Sequence, residues 1–148
     1  MRLKARSVAL FILSAAWVVF IFARSLKDAE DSTLESAWVL SLVRFVLPNA
    51  SMHFVRKLAH FTEFFILGGL LSFAVSSARK DVEKPFLFWR TALYASLGGL
   101  AAAACDELLQ LSSPGRSCQI TDVLLDFSGA LLASLICSFV AGRVVKNR

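Results

Sequence analysis

The stretch CDELLQLSSPGRSCQITDVLLD, residues 105–126, lies between two long runs of almost purely apolar residues. Its costly polar side chains are Asp106, Glu107, Gln110, Arg116, Asp122 and Asp126. An Asp, Lys or Arg in the middle of a membrane costs roughly 2.5–3.5 kcal/mol. These groups therefore require water, mutual pairing or a ligand. The apolar runs on either side indicate two membrane-crossing helices joined by a polar turn.

The composition of the whole chain is typical of a membrane protein. Of its 148 residues, 57% are hydrophobic, and the mean hydropathy is +0.65; about 45–50% is usual in a soluble domain. The net charge of +5 comes from Lys and Arg beside the apolar runs, a pattern that orients helices in membranes and attracts anionic lipids. We expect a lipid bilayer as partner and no nucleic acid. The short polar segments predict a single domain, residues 1–148.

Four apolar segments are long enough to cross a membrane as helices. They predict an all-α integral membrane protein with transmembrane helices at about 7–23, 54–77, 86–111 and 119–141. The apolar segment near 36–47 is too short to span, which predicts an interfacial or re-entrant helix.

The first apolar segment also has a second interpretation. The basic start MRLKAR resembles that of a signal peptide. Its apolar run exceeds the usual 7–15 residues and no small-x-small cleavage site follows before the polar stretch, so a transmembrane helix is favoured.

Lys and Arg beside the apolar runs predict how the helices are oriented. The N-terminal tail, the turn at 78–85 and the C-terminal tail hold three each, whereas the segments 24–52 and 112–118 have a lower density. The positive-inside rule therefore predicts both termini in the cytoplasm. The polar ends of the second, third and fourth helices then share the extracytoplasmic side, as one common site requires.

The polar residues at these three helix ends recur at helical spacing. Those sharing a face are Arg56, His60 and Glu63 on the second helix, Asp106 and Gln110 on the third, and Asp122 and Asp126 on the fourth. At about 1.5 Å per residue, Asp106 lies roughly 8 Å and Asp126 roughly 10 Å inside its helix end. We expect a water-accessible polar pocket open to the outside.

The charges of this pocket do not balance. Five carboxylates, at 63, 106, 107, 122 and 126, face three permanent cations, Arg56, Lys57 and Arg116, which leaves −2 with His60 neutral. Either some carboxylates hold protons, or a cation completes the site. A divalent metal ion at His60, Asp106, Asp122 and Asp126 fits the sum, and it would activate water or polarise a phosphoryl oxygen.

Three classes of function are compatible with such a pocket. The first is a membrane-embedded, metal-dependent hydrolase or transferase that acts on a lipid-linked substrate. The second is a lipid-binding or transport module without chemistry, for which four helices predict a homo-oligomer. The third is a structural accessory protein whose charged cluster clamps the helices together.

Under the first interpretation, the polar residues divide into two roles. The candidate catalytic residues are His60, Glu63, Asp106, Glu107, Asp122 and Asp126. The candidate ligand-binding residues are Arg56, Lys57, Gln110 and Arg116. Carboxylates and imidazole hold metals or transfer protons, whereas guanidinium and ammonium groups hold phosphate.

These motifs resemble those of the VanZ-like family of small bacterial membrane proteins. The runs concerned are RKLAHFTEFFILGGLL (56–71), DELLQ (106–110), PGRSCQITDVLLD (114–126) and GALL (129–132). The matching positions are Lys57, His60, Phe61, Glu63, Asp106, Glu107, Gln110, Pro114, Gly115, Arg116, Asp122, Asp126 and Gly129; Phe64 stands where the family usually has Tyr. The resemblance covers roughly residues 54–135.

The resemblance implies a multi-pass protein of the bacterial cytoplasmic (inner) membrane. The name-giving member of the family is associated with reduced susceptibility to glycopeptide antibiotics such as teicoplanin. A cell-envelope or lipid-linked precursor is therefore the expected ligand. The resemblance supplies no mechanism, so enzyme, binding module and helix clamp all stay open.

Overall fold

The computed structural model describes residues 4–26, 37, 39–45, 47–81, 88–112 and 119–146. The helices in these ranges are α1 (Ala5–Ser25), α2 (residues 39–45), α3 (Met52–Asp81), α4 (Phe88–Gln110) and α5 (Ile120–Lys146). The described ranges contain no strand. α1, α3, α4 and α5 are each long and apolar enough to cross a membrane. The predicted all-α fold, with four membrane helices and one short helix, is confirmed.

The lengths of α1 and α3 can be compared with the thickness of the bilayer's hydrocarbon core. α1 has 21 residues, about 31 Å of helix, which matches a hydrocarbon core of about 30 Å. α3 has 30 residues, about 45 Å, so it extends beyond that core. The structure places residues 78–81 of the predicted charged turn (78–85) in α3, which ends at Asp81. The rest of that turn, the start of the third apolar run at Phe86, and Arg116 with its Pro-Gly turn lie outside the described residues.

α3 is the central helix of the bundle. It packs against α1, α4 and α5, and among the described helices its interface with α5 is the most extensive. The C-terminal ends of α1 and α4 meet the N-terminal parts of α3 and α5 at one end of the bundle, which we call the site end. At the opposite end, Ser7 Oγ lies 2.8 Å from Ser77 Oγ.

Two glycines let the backbones of α3 and α5 approach closely. A Cβ on Gly129 would lie 2.5 Å from the carbonyl oxygen of Phe61, and a Cβ on Gly68 would collide with the backbone of Ala130. Small residues permit this kind of packing in membranes, where helix association depends on close contact. Because Phe61 follows His60 directly, the contact at Gly129 also sets how near α5 comes to the site.

The short helix α2 packs against the beginning of α3. Leu40, Ala50 and Val55 form a small apolar cluster, and Arg44 Nε donates a hydrogen bond of 3.1 Å to the carbonyl oxygen of Ala50. Phe45 is 92% exposed. An exposed aromatic side chain on a short helix is typical of a segment at the membrane interface.

Candidate functional site

Three helices bring one polar side chain each to a common point at the site end. His60 on α3, Asp106 on α4 and Asp126 on α5 offer one nitrogen and two carboxylate oxygens, all within 4.8 Å of one another. Asp106 is 0% exposed and Asp126 is 1% exposed, whereas the His60 side chain is 25% exposed. We call these residues the central triad.

The distances within the central triad are longer than hydrogen bonds. His60 Nδ1 lies 3.9 Å from Asp106 Oδ2 and 3.7 Å from Asp126 Oδ2, whereas a hydrogen bond to a carboxylate measures about 2.7–3.2 Å. The second oxygens, Asp106 Oδ1 and Asp126 Oδ1, are buried without a hydrogen-bond partner in the described part of the chain. Buried carboxylate oxygens without partners are costly, so the arrangement favours an additional cation or polar ligand.

Two residues of α4 lie next to the central triad. One contacts Asp106, and the other contacts the N-terminal start of α5. Gln110 Nε2 donates a 3.1 Å hydrogen bond to Asp106 Oδ2, which holds the carboxylate in place. Glu107, which is 1% exposed, accepts a 2.6 Å hydrogen bond from the backbone N–H of Gln119. That N–H precedes the first turn of α5, where backbone donors lack helical partners. Glu107 therefore anchors the start of α5 beside α4.

Two ion pairs lie on either side of the central triad. Arg24 Nη1 is 2.9 Å from Glu63 Oε1, and Lys57 Nζ is 2.9 Å from Asp122 Oδ1. Lys57 and Glu63 are three residues before and three after His60, so they flank it on the two sides of α3. Asp122 was predicted as a metal ligand together with His60, Asp106 and Asp126. In the structure it pairs with Lys57 and is not part of the central triad.

A comparison with models of known protein families identifies the family of this chain. The family model described as VanZ/LLP1 matches residues 10–141, most of the chain. The chain belongs to the VanZ/LLP1 family. The resemblance expected from the motifs is thereby confirmed. Searches of curated proteins and of solved structures returned no significant match.

In this VanZ/LLP1 protein, α1 also contributes to the site, although none of its residues was predicted to do so. Besides Arg24, α1 supplies Trp17, whose Nε1 donates a 2.9 Å hydrogen bond to the carbonyl oxygen of Glu63. The two residues are seven apart and therefore lie on one face of α1. That spacing, a Trp and an Arg near the end of an apolar run, was the available signal. Arg24 also adds a positive charge that the sequence-based charge count omitted.

The remaining predicted residues of the VanZ/LLP1 protein have different surroundings. Arg56 is half-buried one turn before His60, and Arg116 lies outside the described residues. Phe64, where the family usually has Tyr, is 0% exposed in the apolar core with Ile21 and Leu67. The apolar core therefore adjoins the polar site directly, on the side that faces the interior of the helix bundle.

Proposed function

We propose that this protein holds a divalent metal ion between His60, Asp106 and Asp126 and uses it on a lipid-linked ligand of the bacterial cell envelope. The supporting observation is the geometry of the central triad: three ligand atoms from three helices lie within 4.8 Å. Two of them belong to carboxylates that are almost fully buried. A cation is the simplest group that stabilises two buried carboxylates so close together.

The spacing of the ligand atoms agrees with a metal after a small contraction. Ligands at 2.0–2.2 Å from a tetrahedral ion are roughly 3.4 Å apart, and the observed His60–Asp126 and His60–Asp106 distances are 3.7 and 3.9 Å. One imidazole and two carboxylates suit Zn²⁺ or Mn²⁺ better than Mg²⁺ or Ca²⁺, which prefer oxygen ligands alone. Three protein ligands would leave a coordination position for water or substrate, as in catalytic zinc sites.

Each residue of the site then has a definite task. His60, Asp106 and Asp126 would hold the ion, and Gln110 orients Asp106 through its amide. The ion, when bound, would activate water or polarise a phosphoryl or carbonyl oxygen of the ligand. Phe64 and its apolar neighbours adjoin the site on the side of the bundle interior. This chemistry corresponds to a membrane-embedded hydrolase or transferase.

Metal binding is tested on purified protein in detergent, with Zn²⁺ and Mn²⁺ titrated by calorimetry. We expect one ion per chain in the wild type and its loss in His60→Ala, Asp106→Asn and Asp126→Asn. Asp122→Asn is the matched control, because it removes a carboxylate one turn away that pairs with Lys57 instead. Binding should weaken from pH 7.5 to pH 5.5, because a protonated imidazole cannot bind a metal.

Two results would refute the metal proposal. One is wild-type protein that binds neither ion after dialysis against chelator. The other is an Asp122→Asn variant that loses the ion as completely as Asp126→Asn does, since the central triad would then not be the ligand set. Circular dichroism and size-exclusion chromatography establish that each variant is folded.

Family membership supports the wider setting of this proposal. We place the protein in the cytoplasmic membrane with both termini inside, so that the site end faces the cell envelope, in agreement with the distribution of Lys and Arg. A bacterium that lacks the gene should then change its susceptibility to teicoplanin, and an Asp126→Asn copy should fail to restore it. Cysteine labelling at the two ends of α1 tests the orientation.

A structural clamp is the second candidate, because the two flanking ion pairs are direct. Arg24–Glu63 and Lys57–Asp122 each measure 2.9 Å, as expected of groups that neutralise one another. If the whole cluster is only a clamp, Asp106→Asn and Asp126→Asn should lower thermal stability and bind no less metal than the wild type. Folded variants that lose metal binding favour the metal site instead.

A further inference from the structure

We propose that Arg24 binds the phosphate group of a lipid that approaches the site laterally, from the leaflet beside α1. The inference rests on the proposed function in one respect: the bound lipid is taken to be the ligand of the central triad. It assigns the ligand a chemical class, a phosphate ester on a lipid, and it assigns α1 the role of recognising it.

The depth of Arg24 in the membrane is the first argument. Arg24 lies in the last turn of α1, a helix whose length of about 31 Å matches the hydrocarbon core. The end of α1 therefore coincides with the boundary between acyl chains and headgroups. The phosphate groups of bilayer lipids lie at this same level, so a lipid needs no vertical displacement to reach the guanidinium group.

The exposure of the ion pair is the second argument. The Arg24 side chain is 40% exposed, whereas the Glu63 side chain is 11% exposed. The pair uses Nη1 of the guanidinium group, and the group carries five N–H donors in a planar fork. Donors on the exposed side can form the paired, charge-assisted hydrogen bonds that phosphate accepts from arginine.

The support behind Arg24 is the third argument. Its guanidinium carbon lies 5.8 Å from the centre of the Phe20 ring, and Phe20 in turn contacts Trp17, with ring centres 5.0 Å apart. Trp17 donates a hydrogen bond to the backbone of Glu63. The cation, its carboxylate partner and the aromatic side chains beneath them thus form one supported unit. Less conformational entropy is lost when such a preorganised group binds a ligand.

The position of the pair relative to the central triad is the fourth argument. Glu63 lies three residues after His60 on α3, a rise of about 4.5 Å. α1 packs on α3 and α4, the two helices that carry His60 and Asp106. A phosphate held by Arg24 therefore places the neighbouring part of the lipid beside the triad, on the flank opposite to the Lys57–Asp122 pair.

The test compares lipids that differ only in phosphate. Protein in detergent is titrated with short-chain phosphatidic acid, diacylglycerol or inorganic phosphate, and bound lipid is measured by native mass spectrometry. We expect phosphatidic acid to bind best. Arg24→Gln should weaken it about tenfold, equivalent to about 1.4 kcal/mol. Arg6→Gln, an exposed arginine at the other end of α1, is the matched control and should leave binding unchanged.

The carboxylate partner separates recognition from a purely structural ion pair. Glu63→Gln removes the charge that competes for Arg24, so phosphatidic acid should bind more tightly than to the wild type. The double variant Arg24→Gln with Glu63→Gln leaves neither charge of this pair, so it should keep the fold but lose the preference for phosphatidic acid over diacylglycerol. A structural ion pair would instead make both single variants less stable and leave lipid preference unaltered.

Several results would overturn this inference. The first is that diacylglycerol binds as tightly as phosphatidic acid. The second is that the double variant still prefers phosphatidic acid over diacylglycerol. The third is that inorganic phosphate binds as tightly as phosphatidic acid, which would identify free phosphate as the ligand. The metal proposal is judged separately, by Zn²⁺ titration of Arg24→Gln, which should bind the ion normally. If the protein binds no Zn²⁺ but its binding of phosphatidic acid still depends on Arg24, the metal proposal is refuted and the lipid proposal is not.

Discussion

Gly129 provides the most direct test of how the packing of α5 against α3 builds the site. In Gly129→Ala, the new Cβ would lie 2.5 Å from the carbonyl oxygen of Phe61 and 3.2 Å from the backbone nitrogen of Phe65. Ordinary contact begins at about 3.4 Å, so the two backbones must separate by about 0.9 Å. Neither neighbour is a flexible side chain that could move aside.

The size of the effect follows from this displacement. Overpacking of this kind costs about 1–3 kcal/mol of stability. Asp126 precedes Gly129 by one turn and His60 precedes Phe61, so the separation lengthens the His60–Asp126 distance of 3.7 Å to about 4.6 Å. A tetrahedral ion requires ligand atoms about 3.4 Å apart. Perturbing the groups that orient metal ligands costs about 10–100-fold in metal affinity, so we expect a loss of Zn²⁺ affinity in that range.

The assay combines calorimetric titration of Zn²⁺ with thermal unfolding in detergent. The matched control is Gly69→Ala, since a Cβ there would lie 3.5 Å from Cys137 Sγ, an ordinary contact; it should retain both affinity and stability. A Gly129→Ala variant that binds Zn²⁺ as well as the Gly69→Ala control does would refute the link between this close contact and the geometry of the central triad.

Two further predictions concern the groups around the central triad. Glu107→Ala removes the charge-assisted 2.6 Å hydrogen bond from the Gln119 N–H and should lower stability by about 1–2 kcal/mol. Glu107→Gln keeps an acceptor and should lose less than half of that, so equal thermal unfolding of the two variants would contradict this role. In a double-mutant cycle of Lys57→Ala and Asp122→Ala, the coupling should stay below about 1 kcal/mol, because the two side chains are about one third exposed. A coupling above about 2 kcal/mol would contradict a weak, partly exposed pair.

The helices could be predicted from the sequence because each depends on local composition. Apolar runs of about twenty residues have few alternatives to a membrane helix, and the short run near 36–47 was recognised by its length. The sequence also drew attention to His60, Asp106 and Asp126, which the structure brings together, because charged groups beside apolar runs require an explanation. The roles of the candidate residues as metal ligands or phosphate-binding groups remain predictions.

The choice of partners within the cluster depends on tertiary structure. Asp122 and Asp126 are four residues apart on α5 and look equivalent in the sequence. The axial register of α5 along α3, with Gly129 packed closely against Phe61, places Asp126 beside His60 and Asp122 beside Lys57, one turn earlier on both helices. The helical period alone cannot distinguish these pairings, since it describes one helix and not its neighbour.

The contribution of α1 likewise divides into a part that the sequence determines and a part that only tertiary packing determines. The sequence by itself determined that α1 is an apolar helix ending near Arg24, because hydrophobicity and length act within one segment. Only the tertiary structure decided that Arg24 meets Glu63, 39 positions later in the chain, and that Trp17 supports the same residue. Such contacts arise from the lateral packing of α1 on α3, which depends on the surfaces of both helices together.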